Sequence, residues 1–226
     1  MSKRGKIMMN SNGLNCLHGK LPKSLILITS CLVLLAGCSA KPAASVSPDE
    51  DKAQTAYSNL LSGDISLLGD TQLGQEWADL ILPNSELEYT TMDLDGDGVS
   101  ELLVQWKENP GNYNAVFHYE DGQLICWNHD TVEMTRRDYP LQDGTIVQQY
   151  DYAGCRYYTL FRYQSSGEKE EVASLFARDE PMVENDPNPC PYYEVDGKEV
   201  DEAAFNAKLK EAIDDKLLTR SAWTAV

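Results

Sequence analysis

The residues best equipped for chemistry are Asp93, Asp95, Asp97 and Glu101, which lie in the stretch Asp93-Leu94-Asp95-Gly96-Asp97-Gly98-Val99-Ser100-Glu101. Alternating carboxylates closed by a further acid are a pattern for holding a hard cation. Ca²⁺ takes roughly six to eight oxygens at about 2.3–2.6 Å. A chain supplies them locally by curling round the ion, with side chains at positions 1, 3 and 5 pointing inward and a glycine at position 6 making the sharp turn. Asp93, Asp95, Asp97 and Gly98 fill those positions. The backbone carbonyl of Val99 is then the position-7 ligand, and Glu101 sits at position 9.

The competing reading is a solvated acidic turn, because aspartate side chains can cap their own backbone without a metal. Crowded carboxylates repel one another, however, and a cation relieves that cost. Mg²⁺ fits less well because it demands a tight octahedron and keeps its waters. Aspartate-rich spacing does not suit zinc, which prefers histidine and cysteine. The helix–loop–helix type of calcium site needs a bidentate glutamate at position 12. Here that position is Val104, and the flanking residues read as strands.

The segment before the loop-bearing region is of a different character. The first 37 residues carry Lys3, Arg4, Lys6, Lys20 and Lys23 and no acid. Apolar runs at Leu25–Ile28 and Leu32–Leu35 then lead to Leu35-Ala36-Gly37-Cys38. A basic start, a short apolar stretch and small residues before the cut mark a secretory signal peptide. Leu-Ala-Gly-Cys resembles the lipobox of bacterial lipoproteins, and that resemblance implies that Cys38 is acylated and becomes the mature N-terminus. An ordinary signal peptide ending near a cysteine is the alternative. Residues 1–37 are thus expected to be removed. Residues 38–46 form the lipidated cysteine and a flexible tether of mostly small residues. Residues 47–226 make one domain, held at the extracytoplasmic face of the cell membrane by lipid.

The whole chain of 226 residues has a formal charge of −17. Without the five basic residues of the leader, 14 bases remain against 36 acids, a net −22. Such a chain repels nucleic acid and anionic lipid headgroups. Cys126, Cys155 and Cys190 remain beyond the tether. An exported chain can hold a disulfide. Cys155 with Cys190 is the favoured pair, because both lie near turn residues; three buried free thiols are the alternative.

The domain reads as α+β: an antiparallel β-meander flanked by N-terminal and C-terminal helices. Ser47-Pro48-Asp49-Glu50 begins a helix, with Glu50 placed to complete a capping box, and Ala53, Tyr57, Leu60 and Leu61 form its inner face. A second short helix is expected over 76–81, with Trp77, Leu80 and Ile81 inward. Strands are expected over 88–92, 101–106, 114–119, 123–127, 145–150, 156–163, 170–176 and 192–195, broken by Asp-Gly and Gly turns. Asp201 caps a closing helix whose apolar stripe is Phe205, Leu209, Ala212, Ile213 and Leu217.

Two resemblances rest on these residues. The strand–loop–strand stretch Asp93, Asp95, Asp97, Val99, Glu101 resembles the calcium loops of FG-GAP and VCBS repeats, in one copy only, so their propeller fold is not expected. More broadly, three features taken in order are similar to uncharacterised lipoproteins of Gram-positive bacteria: the lipobox, the single acidic loop, and the turn Tyr193-Glu194-Val195-Asp196-Gly197-Lys198-Glu199-Val200. That likeness implies no activity.

Catalytic motifs are missing from the sequence. The exported part has only His118 and His129, each in or beside a strand-like run, and a lone histidine is more often structural than catalytic. There is no Gly-x-Ser-x-Gly elbow, phosphate loop or His-Glu-x-x-His. Trp106, Trp127, Tyr157 and Tyr158 could stack on a sugar or peptide, but such residues more often face a core. The expected function is therefore a lipid-anchored, non-catalytic binding module with a structural Ca²⁺ loop and a protein or glycan ligand. The alternative is an exported hydrolase.

Overall fold

The computed structural model describes residues 48–69, 71–83, 86–129, 135–181 and 190–226. The expected signal peptide, Cys38 and the expected tether lie outside these residues. Among the described residues the chain forms 11 strands and 3 α-helices, in two antiparallel sheets. The fold is α+β with mostly β content.

The first sheet is built round the hairpin of β1 (Leu87–Met92) and β2 (Glu101–Trp106), whose connection is the acidic loop. Met92 pairs with Glu101 at the loop end of the hairpin. β3 (Tyr113–Glu120) and β4 (Gln123–His129) extend the sheet beyond β2. A terminal pair, β11 (Thr224–Ala225), closes the β1 edge. The second sheet comprises β5 (Arg136–Pro140), β6 (Ile146–Tyr152), β7 (Cys155–Tyr163), β8 (Lys169–Arg178), β9 (Tyr192–Val195) and β10 (Lys198–Val200), in spatial order β10-β9-β8-β7-β6-β5.

Alternation along the strands fixes the layers. Leu102, Val104, Ala115, Phe117 and Leu124 point to one side of the first sheet. There they pack on α1 (Pro48–Leu61), through Ala53, Ala56, Tyr57 and Leu60, and on α2 (Gln72–Leu80), through Trp77. Leu103, Tyr113 and Val116 point to the other side and meet Ile146, Phe161 and Tyr163 of the second sheet. That sheet turns Val147, Tyr158, Leu160 and Leu175 to Phe205 and Ile213 at α3 (Glu202–Ala212). β2 is therefore covered on both faces, which explains its unbroken apolar run Leu102-Leu103-Val104.

Several sequence expectations change in detail. The strands divide between two sheets, and two short strands, β5 and β11, went unpredicted. β5 contains only Arg136-Arg137-Asp138-Tyr139-Pro140, and its pairing comes from β6. α2 starts at Gln72, because the Thr71 hydroxyl caps Gly74 N–H, and Leu80 faces solvent. Glu50 Oε2 accepts from Ser100 N–H in the acidic loop; Ser47, its expected capping-box partner, lies outside the described residues. Cys126, Cys155 and Cys190 are all free thiols, so the expected Cys155–Cys190 disulfide is absent. Cys190 Sγ instead lies 3.7 Å from the Arg178 carbonyl. Asp201 caps α3 as expected, accepting from Ala204 N–H.

Candidate metal centre

The acidic loop is anchored at both its ends. Leu94 points down between the sheets into the cluster of Leu103, Tyr113, Val116 and Phe161. The turn after β5 presses on the entrance so closely that a Cβ at Gly144 would sit 3.0 Å from the Asp93 carbonyl oxygen. At the exit, α1 grips Ser100 twice: Glu50 Oε2 accepts its N–H at 2.6 Å, and Tyr57 Oη donates to its carbonyl at 2.8 Å. Glu50 and Tyr57 are seven residues apart and so share one helix face.

Within the loop each aspartate accepts backbone N–H groups. Asp93 accepts from Gly96 (2.7 Å) and Gly98 (3.1 Å), Asp95 from Asp97 (3.1 Å), and Asp97 from Val99 (2.6 Å). These bonds curl the backbone and turn the carboxylates toward one another. Gly96 and Gly98 take φ of +85° and +87°, a region that L side chains avoid. Of the oxygens left over, Asp95 Oδ2 is shut off from solvent and has no hydrogen-bond partner among the described residues.

Glu101 differs from the exposed ligand that spacing alone implies. It is 0% exposed. Its Oε2 accepts from Leu94 N–H at 2.7 Å, and its Oε1 lies 2.9 Å from His118 Nδ1. The register explains the meeting. Leu102 pairs with Phe117 across β2 and β3, so the preceding residue of one strand faces the following residue of the other. The His118 ring is held in turn by Trp127, stacked at 4.4 Å with planes 13° apart. Trp127 is the extra residue in a bulge of β4: Val116 pairs with Asn128 but Phe117 pairs with Cys126. Bulges re-aim side chains in this way.

The expected residues thus assemble as two overlapping groups. Oxygens of Asp93, Asp95 and Glu101 lie within 4.8 Å of one another, as do donor atoms of Asp95, Asp97 and His118. The Val99 side chain packs against the helix-side core, and its N–H is held by Asp97. His118 is the residue that sequence reasoning set aside. Its only advance signal was a histidine alternating with core residues in a strand two elements away.

Electrostatics mark the same spot. Burial, reinforced by the neighbouring Asp95, pushes the Glu101 carboxyl above its usual range, against the pull of His118 and Leu94 N–H. Burial likewise raises Asp95, with Asp97 and Asp93 adding repulsion. Burial alone would lower His118; the bond to Glu101 and the surrounding acids outweigh it and hold the imidazole above its ordinary value. Among the described residues no lysine or arginine is hydrogen-bonded to Asp93, Asp95, Asp97 or Glu101. Beside it opens a cleft of about 510 Å³ whose walls include Asp49, Lys52, Asp97, His118, Tyr119 and Glu120.

The arrangement can hold a divalent cation, and the orphaned Asp95 oxygen grouped with the raised Glu101 carboxyl fits one. Set against protein-family models, curated proteins and solved structures, the chain has no match.

Proposed function

We propose that the protein is a lipid-anchored extracytoplasmic binding module in which Asp93, Asp95, Asp97, the Val99 carbonyl and Glu101 hold a structural Ca²⁺. The observation that carries this reading is Asp95 Oδ2, an oxygen cut off from water with no partner among the described residues. Burying an unpaired carboxylate oxygen is costly, and a calcium ion supplies the missing partner while neutralising its neighbours. The all-oxygen group of Asp93, Asp95 and Glu101 suits a hard cation. Bound there, the ion would fix the β1–β2 connection to the sheet beneath it.

In this reading residues 1–37 are a lipoprotein signal peptide, Cys38 carries the lipid, residues 39–46 are a tether, and residues 47–226 are a single domain. That domain is an antiparallel meander with helices at its two ends, and it presents a surface to a protein or glycan ligand. Calorimetric titration of the chain with CaCl₂ is expected to show uptake of one ion and a rise in melting temperature that EDTA reverses. No heat and no thermal shift would remove the calcium claim. Incorporation of labelled palmitate that disappears in Cys38→Ser tests the anchor.

A second reading, an exported hydrolase, is favoured by the cleft that reaches Asp97 and His118. Turnover of an ester, glycoside or phosphoester that is lost in His118→Phe would select it over the binding module.

A further inference from the structure

We propose that one face of the second sheet binds a neutral, β-1,4-linked polysaccharide chain, which stacks along a row of five aromatic rings. The inference rests on the binding-module reading and names the surface and the ligand class for it.

The row follows from strand register. Tyr150 pairs with Tyr157 across β6 and β7, and Tyr157 pairs with Phe176 across β7 and β8. Cross-strand partners share a face. Tyr152 joins from two residues further along β6, and Tyr192 from β9. Successive ring centroids, from Tyr152 through Tyr150, Tyr157 and Phe176 to Tyr192, lie 6.2, 6.0, 4.7 and 6.1 Å apart. The opposite face, with Tyr158 and Leu175, packs on Phe205 of α3. Along β7 the face of the row also carries Phe161 and Tyr163, which the first sheet buries. At Tyr157 that cover has ended. Tyr150, Tyr152 and Tyr157 are 37%, 58% and 41% exposed, and they are the exposed aromatic residues among the described residues. Single exposed apolar side chains are ordinary, but a contiguous patch marks an interaction site.

The border of the row selects the ligand. Beside Tyr157 and Phe176 runs a groove of about 330 Å³ that is also lined by Thr159, Ser174 and Glu194. Thr159 and Ser174 are register partners, and their hydroxyls have no hydrogen-bond partner among the described residues. Glu194, opposite Phe176, accepts from Tyr192 Oη. Asp151 and Arg156 alternate with the tyrosines and so project to the other face. Rings edged by neutral hydroxyls match a pyranose: its axial C–H face packs on an aromatic ring, and its equatorial hydroxyls exchange hydrogen bonds at the sides. A row of rings fits the extended ribbon of β-1,4 linkage in preference to a coiled glycan. The formal charge of −17 opposes nucleic acid and a second copy of the chain.

The test is calorimetric titration of the full chain with cellohexaose, N-acetylchitohexaose and maltohexaose. Uptake of at least one of the two β-1,4 hexaoses is expected, with maltohexaose about tenfold or more weaker. Tyr150→Ala and Tyr157→Ala are each expected to weaken binding about tenfold, the worth of one aromatic contact, while Leu73→Ala, an exposed apolar residue of α2, leaves it unchanged. Thermal melts confirm that each variant is folded. If a tyrosine variant does not fold, Thr159→Val, expected to weaken binding severalfold, takes its place. No uptake of either β-1,4 hexaose, tighter binding of maltohexaose, or binding unaltered in the folded variants would overturn the proposal. So would a dimer in sedimentation that the tyrosine variants dissociate, or capture of reduced, carboxymethylated α-lactalbumin in place of the sugars. A CaCl₂ titration on the same preparation separates the readings: hexaose uptake without calcium uptake sinks only the calcium site, and calcium uptake without hexaose uptake sinks only the glycan surface.

Discussion

Two glutamates are buried at opposite ends of the same hairpin, and their surroundings differ in one respect. Glu88, in β1, receives the Arg220 guanidinium and a hydrogen bond from Gln105. Glu101, at the start of β2, has only a backbone N–H and an imidazole. Arg220 holds the Glu88 carboxyl below the usual range, although burial pushes the other way. At Glu101 burial prevails and the carboxyl is raised. The far end of the hairpin thus contains its own permanent cation. Among the described residues, the four acids and one histidine of the loop end have no lysine or arginine hydrogen-bonded to them. A chain that builds a charge-balanced site at one end and an anionic one at the other leaves a place for an external cation.

The sharpest way to break this comparison is to remove charge at the loop end. Asp95→Asn keeps the shape of the side chain and deletes the orphaned carboxylate. Ca²⁺ affinity is expected to fall about a hundredfold, since ligand charge tunes such sites over several decades. The metal-free variant should melt at or above the wild-type temperature, because repulsion with Asp93 and Asp97 is gone. Calorimetric titration together with scanning calorimetry in EDTA checks both halves. An unchanged affinity would mean that Asp95 is not a ligand.

How much of this could be read from the sequence follows from the range of each signal. The loop, its glycines and the flanking strands were legible because turn chemistry acts over a few residues. Asp121-Gly122 and Asp196-Gly197 were legible for the same reason: both aspartates and both glycines take positive φ in tight hairpins, as such turns require. These hairpin aspartates and the loop aspartates look alike in sequence. They differ in what lies beneath, and that is fixed by strand register. The Glu101–His118 contact spans 17 residues and depends on a pairing that sequence pattern does not set. The bulge that aims Trp127 over His118 has no glycine to announce it. The bond from Ser100 N–H to Glu50 spans 50 residues, so no local pattern announces it. The division into two sheets was likewise hidden, since the same alternation serves one sheet or two.

A smaller effect is expected further out, where the second sheet supports the histidine. Gly167, in the turn after β7, has φ +81°, and a Cβ there would come within 2.6 Å of Trp127 Cδ1. Gly167→Ala is expected to destabilise by about 2–3 kcal/mol, combining left-handed backbone strain with overpacking. It should also loosen metal binding by displacing Trp127 from His118. Gly122→Ala is the matched control. Its φ is +85° but nothing lies within 4 Å, so only the backbone cost of about 1–2 kcal/mol applies, with no change in metal affinity. Urea unfolding and metal titration of both variants test whether the stack transmits anything to the loop. Equal effects on affinity would say that it does not.

Tyr57→Phe removes the hydroxyl that holds the Ser100 carbonyl and leaves the ring packed. A loss of about 1 kcal/mol is expected, readable as a lower urea midpoint. Part of that loss should reappear as weaker Ca²⁺ binding if α1 preorganises the exit of the loop. A stability loss with unchanged affinity would confine α1 to the core.

The smallest effect sharpens the comparison from its balanced end. Glu88 is a carboxyl whose folded-state pKa is depressed, chiefly by Arg220. Its contribution to stability is therefore fully present above the ordinary glutamate value of 4.5 and is lost as pH falls through the lower folded value. Arg220→Ala should lower the urea midpoint modestly at pH 6, since the guanidinium is largely exposed and solvent screens it. The gap between wild type and variant should narrow as pH drops below about 4.5. A parallel series on Asp95→Asn in EDTA should behave in the opposite sense, because Asp95 is a carboxyl with a raised pKa. Its ionised form costs stability above its ordinary value, so the variant's advantage should be greatest near neutral pH and shrink on acidification. If both gaps close in the same direction and with the same sign, the two ends of the hairpin are electrostatically alike, and the case for an external cation at the loop end is gone.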